Sequence, residues 1–310
     1  MRRTLESLCV SQLFVLFANI LLPVFVLVLV GYIVGPRLQL DARTLSRFAY
    51  FIITPSFTFN IFSAAHIQVT LALRMAIFII VVTTGTVVVA WLTARAMRCS
   101  PQMTAAYVLV AAFGNVGNFG IPIIQFRLGE EALVAASFYF LILSIYGFMV
   151  GVTAATWHQG TGLRAIWMAF KTPAVLAVIP AFVVNWFDVA LPLFITRAVG
   201  LLAGALIPVM LVTLGVQLAG MGIPKLDRDI VVTSLVRLLV GPVLALLLVA
   251  PFALTGIERG AGILQASMPV AVLAALIAFE HQLLPNFVTT VTLFSTLASA
   301  ITLTVVLTFV

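Results

Sequence analysis

The chain has 310 residues, of which 63% are hydrophobic and 8% charged, at a mean hydropathy of +1.25. A water-soluble domain carries roughly 25% charged residues, so this composition excludes a soluble globule and requires a surface that faces lipid. The net charge of +7 comes from basic residues standing singly between apolar runs, without the aromatic-interleaved patch of a nucleic-acid binder, so no nucleic-acid partner is expected.

The apolar runs are long and unbroken, as in 20–34 and 236–254, which is the pattern of membrane-spanning helices and not of the short alternating strands of a barrel. Met1-Arg2-Arg3 imitates the opening of a signal peptide, but the run over 13–34 is too long for its apolar core and lacks a small-residue cleavage site, so it is taken as the first span. Charged, Pro and Gly clusters delimit ten spans, near 12–34, 43–63, 71–96, 103–126, 131–156, 172–187, 192–220, 229–253, 258–280 and 285–309. The sixth is the shortest and carries Pro173 and Pro180.

The connections on one side carry ten basic residues: Arg37, Arg43, Arg47, Arg95, Arg98, Arg164, Lys171, Lys225, Arg228 and Arg237. The other side carries six: Arg2, Arg3, Arg74, Arg127, Arg197 and Arg259. This excess places the first set in the cytoplasm and both termini outside, in an integral membrane protein.

Prolines inside the first, second and fourth spans, Pro23, Pro55 and Pro122, recur 157, 153 and 147 residues later as Pro180, Pro208 and Pro269 in the sixth, seventh and ninth. Five spans followed by five more necessarily point the second unit the opposite way through the bilayer. The expected fold is therefore all-α and polytopic, with ten transmembrane helices as two inverted five-helix repeats over 1–157 and 172–310, joined by a short cytoplasmic linker at 158–171.

In the second span Thr54, Ser56 and Asn60 are polar candidates for a binding site. The fourth holds the most unusual stretch, Phe113-Gly114-Asn115-Val116-Gly117-Asn118-Phe119-Gly120-Ile121-Pro122. Each interior glycine costs a helix about 1 kcal/mol and proline about 3, so this segment is expected to break. An unwound backbone at bilayer depth needs protein or a water-filled cavity to satisfy it, and a cavity is expected here. The half-helix after the break presents free N–H groups and a positive dipole end suited to a carboxylate, with Asn115 and Asn118 as amide donors. The alternative is structural: glycines that let helices approach, and asparagines that cross-link them. Tyr139 on the fifth span and Thr213 and Gln217 on the seventh are further candidates, each open to the same structural alternative. The ninth span offers the counterpart Gln265-Ala266-Ser267-Met268-Pro269. Two such breaks crossing near the midplane would gather Asn115, Gly117, Asn118 and Ser267 around one point.

Every acid, from Glu6 to Glu280, falls at or near a span end, so a buried-acid proton relay is not expected. Glu280 lies about 16 Å beyond Pro269 along a helix, at the surface. Arg197 and Arg237 lie nearest the core and are expected to snorkel to an interface. Cys9 and Cys99, and His66, His158 and His281, are scattered, so no metal site, cofactor or catalytic dyad is expected, and with it no enzyme.

These residues resemble the auxin efflux carrier family, which includes plant auxin exporters and bacterial carriers assigned to malonate- or malate-like acids. The likeness spans the chain and rests on Asn115 with Gly120-Ile121-Pro122-Ile123-Ile124 and Gly129-Glu130, and on Ser267-Met268-Pro269 with Ala278-Phe279-Glu280 and Pro285. Pro55-Ser56-Phe57 and Leu214-Gly215 add weaker matches. The resemblance implies broken, crossing helices 4 and 9 in a transport domain of helices 3, 4, 5, 8, 9 and 10. Helices 1, 2, 6 and 7 would form the scaffold, with a homodimer through helices 2 and 7. It further implies Asn115 as a substrate-binding amide, Pro269 as the partner crossover, and Gly117, Asn118, Gly120, Pro122 and Ser267 around them. Gly114 stands where the plant pattern has a proline, no asparagine adjoins Pro269, and the central loop is short, which favours a compact bacterial carrier over an auxin exporter. The expected activity is elevator-type secondary transport of a mono- or dicarboxylate, in the direction of efflux. A sodium-coupled symporter resembling the bile-acid type, with backbone carbonyls at the breaks holding the ion, remains the alternative, and an intramembrane enzyme or sensor the alternative from another class.

Overall fold

The computed structural model describes residues 13–65, 68–156, 171–221 and 227–310. The expectations for Cys9, His66, His158 and nearly all of the 158–171 linker lie outside these residues. All regular structure among the described residues is helical. In chain order it comprises α1 Leu13–Arg37, α2 over 42–63, α3 Val69–Ala96, and a fourth helix in two parts, α4a Pro101–Ala112 and α4b over 116–128. There follow α5 Leu133–Thr156, α6 Pro173–Trp186, α7 Leu193–Ala219, α8 Arg228–Leu248, a ninth helix split into α9a Gly256–Ala266 and α9b Val272–Glu280, and α10 Pro285–Val306. Six of these, namely α1, α3, α5, α7, α8 and α10, are long and apolar enough to cross a membrane by themselves. Their outer faces are apolar as well, with Leu201 79% and Ile301 74% exposed, as a surface that faces lipid requires. The chain is an all-α polytopic membrane protein.

Proline shapes the helices in a regular way. Pro23, Pro55, Pro122 and Pro242 each follow a five-residue π turn, at Phe17–Leu21, Ala49–Ile53, Val116–Gly120 and Val236–Val240. A proline ring collides with the carbonyl four residues earlier and offers it no N–H; in all four cases that carbonyl falls inside the π turn, whose wider winding relieves the collision. Pro208 acts on Gly204 in the same way, and α7 is interrupted at Ala205. Pro180, by contrast, is carried inside a continuous α6.

α1 and α7 approach backbone to backbone. Gly31 and Gly35 form a small-xxx-small step on α1, and a Cβ on Gly31 would overlap the carbonyl of Val212. Gly215 answers from α7, where a Cβ would overlap the carbonyl of Val28 and sit 2.6 Å from the Tyr32 nitrogen. α2 packs on α6 and on the first half of α7, and Asn185 of α6 donates to the carbonyls of Ser63 and Ala65 at the end of α2, both at 3.0 Å. A second set of contacts joins α3, α4a, α5, α8, α9b and α10. The two sets meet where α4b lies against α1 and α7, with the rings of Phe25 and Phe119 edge to face at 5.5 Å.

One expectation fails. Arg237 does not snorkel: it is 4% exposed, inside the π turn of α8. Nine residues separate it from Arg228 at the helix start, about 13 Å of rise, which is too deep for the side chain to reach headgroups. Without it the basic excess that set the topology falls to nine against six.

Candidate functional site at the crossing of two broken helices

α4a stops at Ala112, and Phe113 turns extended at φ −109°, ψ 94°. α9a stops at Ala266, and 267–271 run without helix to α9b. The two unwound segments pair with each other as a short antiparallel bridge between Gly114 and Val270. The Asn115 amide donates to the Pro269 carbonyl at 2.7 Å, and the Ala271 amide donates to the Phe113 carbonyl at 2.9 Å. The Val270 amide donates to Ser295 Oγ on α10 at 3.2 Å. The break predicted in the fourth span is thus real but short: Asn118, Gly120 and Pro122 lie in helix again, within or just after the π turn.

The carbonyls at the ends of the two leading half-helices converge on one side chain. Arg237 Nε donates to Met268 O at 3.0 Å and Nη1 to Ala111 O at 3.2 Å. Each half-helix C-terminus carries about −0.5 charge, so the guanidinium roughly neutralises the pair. No carboxylate pairs with it among the described residues, where every acid is at least partly exposed. Glycine makes this packing possible: a Cβ on Gly114 would overlap Arg237 Nη2, one on Gly241 the carbonyl of Ala266, and one on Gly120 the side-chain oxygen of Gln265.

Around the bridge lie polar atoms with nothing to bond. Asn115 is 4% exposed and its Nδ2 has no partner. Gln265 is fully buried; its Nε2 donates to Ala136 O at 3.1 Å, while Oε1 is unpaired. Ser137 Oγ, on α5, is buried and unpaired too. Buried polar groups are nearly always satisfied, so a cluster of orphans marks a place that another molecule or water completes. Tyr139 of α5 is buried. Gly117 is buried, where a Cβ would come within 3.0 Å of the Phe140 ring, and Asn118 is half-buried. The α4b amides that close the first intrahelical bonds belong to Phe119 and Gly120, both on Asn115 O, so those of Gly117 and Asn118 precede the ladder.

Other candidates stand apart from this cluster. Ser267 is at the crossing, but its hydroxyl is spent on Ile263 O at 2.6 Å. Thr54 donates to Ala49 O at 2.9 Å within the α2 π turn, and Asn60 is a half-buried residue further along the same helix. Gln217 donates to Ser46 Oγ at 2.8 Å, a cross-link between α7 and α2. Thr213 is buried with an unpaired hydroxyl on the half of α7 that touches the α4b π turn. At the break itself the two segments, Arg237 and Ser295 hydrogen-bond the unwound backbone. Two open clefts lie away from the crossing, one of about 450 Å³ beside Trp91, Arg95 and Thr104 and one of about 570 Å³ between Phe14 and Ile301. The sequence named Gln265 only within the ninth-span counterpart and did not bring Arg237, Ser137 or Ser295 to the crossing; the depth of Arg237 along α8 was the signal that could have found the first.

Comparison with known proteins agrees with this architecture. The family model described as membrane transport protein matches residues 16–159 and 161–307. An uncharacterized transporter of Methanothermobacter thermautotrophicus is 30% identical over 288 residues, covering 91% of this chain and 94% of its own. An uncharacterized transporter of Methanocaldococcus jannaschii is 26% identical over 303 residues, covering 91% and 96%. With paired, broken fourth and ninth helices and a family match along almost its whole length, the chain belongs to the auxin efflux carrier-like family of membrane transport proteins.

Proposed function

We propose that this membrane transporter is an elevator-type secondary carrier that exports a small organic anion, a mono- or dicarboxylate, bound at the α4/α9 crossing. The observation that carries the reading is the buried amide of Asn115, unpaired at Nδ2 and next in sequence to the glycine that faces the buried Arg237. A carboxylate accepts hydrogen bonds and donates none, so it fits an orphan N–H donor at a half-helix N-terminus beside a cation. Ten membrane crossings in two inverted repeats, joined by the cytoplasmic linker, would place this site at the repeat interface. In this reading α1, α2, α6 and α7 form the scaffold and a homodimer through α2 and α7, and the remaining helices move past it. Both termini lie outside an inner membrane. An interior-negative potential then favours anion exit by about 2.3 kcal/mol per charge per 100 mV.

The reading is tested by the melting temperature of the purified protein against a panel of mono- and dicarboxylates, with amines and neutral sugars as controls. A ligand of the native state raises stability by mass action, about 2.7 kcal/mol at 100 times its dissociation constant. Saturable stabilisation by one or more carboxylates alone is the expected result; stabilisation only by cationic or neutral solutes would overturn it.

A further inference from the structure

Broken helices bring backbone carbonyls to bilayer depth, and in a carrier such carbonyls are the natural ligands of a coupling cation. Here the carbonyls of Ala111 and Met268 are already taken, at 3.2 and 3.0 Å, by a guanidinium of the protein's own. Gly114 has no side chain where the third guanidinium nitrogen sits, so the local sequence is fitted to this one cation. One turn earlier on α8, Ser234 is fully buried with its hydroxyl unpaired, a further oxygen that the same helix carries. We infer that Arg237 is a tethered counter-cation that fills the position a coupling sodium ion would need, and that removing its side chain uncovers a sodium site formed by Ala111 O, Met268 O and the Ser234 hydroxyl.

Two half-helix C-termini facing each other in a low-dielectric interior repel unless positive charge lies between them. A mobile ion can supply that charge, but it must be bound and released in each cycle, which couples transport to its gradient. A tethered guanidinium supplies the same charge permanently and moves with the crossing. The carrier, on the reading proposed above, is then driven by the anion gradient and the membrane potential, without sodium.

The test uses purified full-length protein and its melting temperature in sodium chloride against choline chloride at equal ionic strength. Wild type is expected to melt at the same temperature in both. Arg237→Ala is expected to be destabilised in choline and to recover in sodium with a saturable dependence, on the order of 5 °C at 100 times the dissociation constant. Arg237→Lys, which retains a tethered cation, should show no such sodium response. Saturable stabilisation of wild type by sodium overturns the inference. So does an Arg237→Ala protein that responds to sodium no more than wild type, or that cannot be recovered folded in either salt. None of these measurements includes an organic anion, so a failed carboxylate panel and a failed sodium response separate the two readings.

Discussion

Replacing Asn115 with alanine distinguishes a binding amide from a structural one by the sign of the stability change. In the structure Nδ2 is buried and donates to nothing. An unpaired buried donor costs about 1–3 kcal/mol of desolvation, which truncation returns. Truncation also removes packing worth about 1 kcal/mol, since the side chain shrinks by a small group. The balance is a change between about zero and 2 kcal/mol in favour of the variant. At about 2 °C per kcal/mol for a chain of this size, Asn115→Ala should melt between the wild-type temperature and about 4 °C above it. The backbone amide of Asn115, which holds the bridge to Pro269, is untouched by the substitution. The assay is the thermal unfolding of purified variant and wild type without ligand, followed by titration of whichever carboxylate stabilises wild type. A site residue gives retained or raised stability with lost ligand response. A fall of 4 °C or more would refute the argument, because it would mean that the amide cross-links helices, as the structural alternative holds.

Gly215→Ala should cost about 1–3 kcal/mol, because the new methyl would overlap the Val28 carbonyl and force α1 from α7; a lowered melting temperature checks it. Gln217→Ala loses its hydrogen bond to Ser46, worth about 0.6 kcal/mol for an interhelical bond in a membrane, and should leave carboxylate affinity unchanged in the same titration. Asp41 caps α2 by accepting from the Thr44 amide at 2.7 Å and from its hydroxyl, and these hydrogen bonds hold its carboxyl below the usual carboxylate value. A depressed value means that the cap's contribution is present above the ordinary carboxylate pKa and fades as pH falls through the lowered one. Protection of the Thr44 and Leu45 amides, measured as hydrogen exchange relative to the intrinsic rate at each pH, should therefore fall at acid pH in wild type and be low at all pH in Asp41→Ala.

The break in the fourth helix was legible because glycine and proline are costly in the middle of a helical span, and that in the ninth because Pro269 recurs there as the counterpart of Pro122. Their pairing was not: two three-to-five-residue segments 150 residues apart carry no sequence mark of an antiparallel bridge, since the bonds run through the backbone. Arg237 was misread because a single basic residue near a span end normally reaches water, and only its distance from Arg228 argued otherwise. The π turns follow from prolines visible in the sequence, yet a proline alone does not say whether a helix will widen, as before Pro55, or continue, as at Pro180. The Gly31/Gly35 step was present as a motif, but its partner at Gly215 became evident only from the backbone approach of α1 and α7. Polar residues on the second and seventh spans looked alike in sequence; the structure separates Thr54, whose hydroxyl bonds within α2, from Gln217, whose Nε2 reaches Ser46 while its Oε1, like the Thr213 hydroxyl, is buried and unpaired.

The central claim is that a small organic anion crosses the bilayer by way of Asn115 at the paired break. It is tested most directly by efflux of a radiolabelled carboxylate, chosen by the thermal panel, from proteoliposomes holding wild type or Asn115→Ala under an interior-negative potential. Wild-type vesicles should show sodium-independent efflux, and the variant a loss of at least tenfold. Equal rates from both would contradict it.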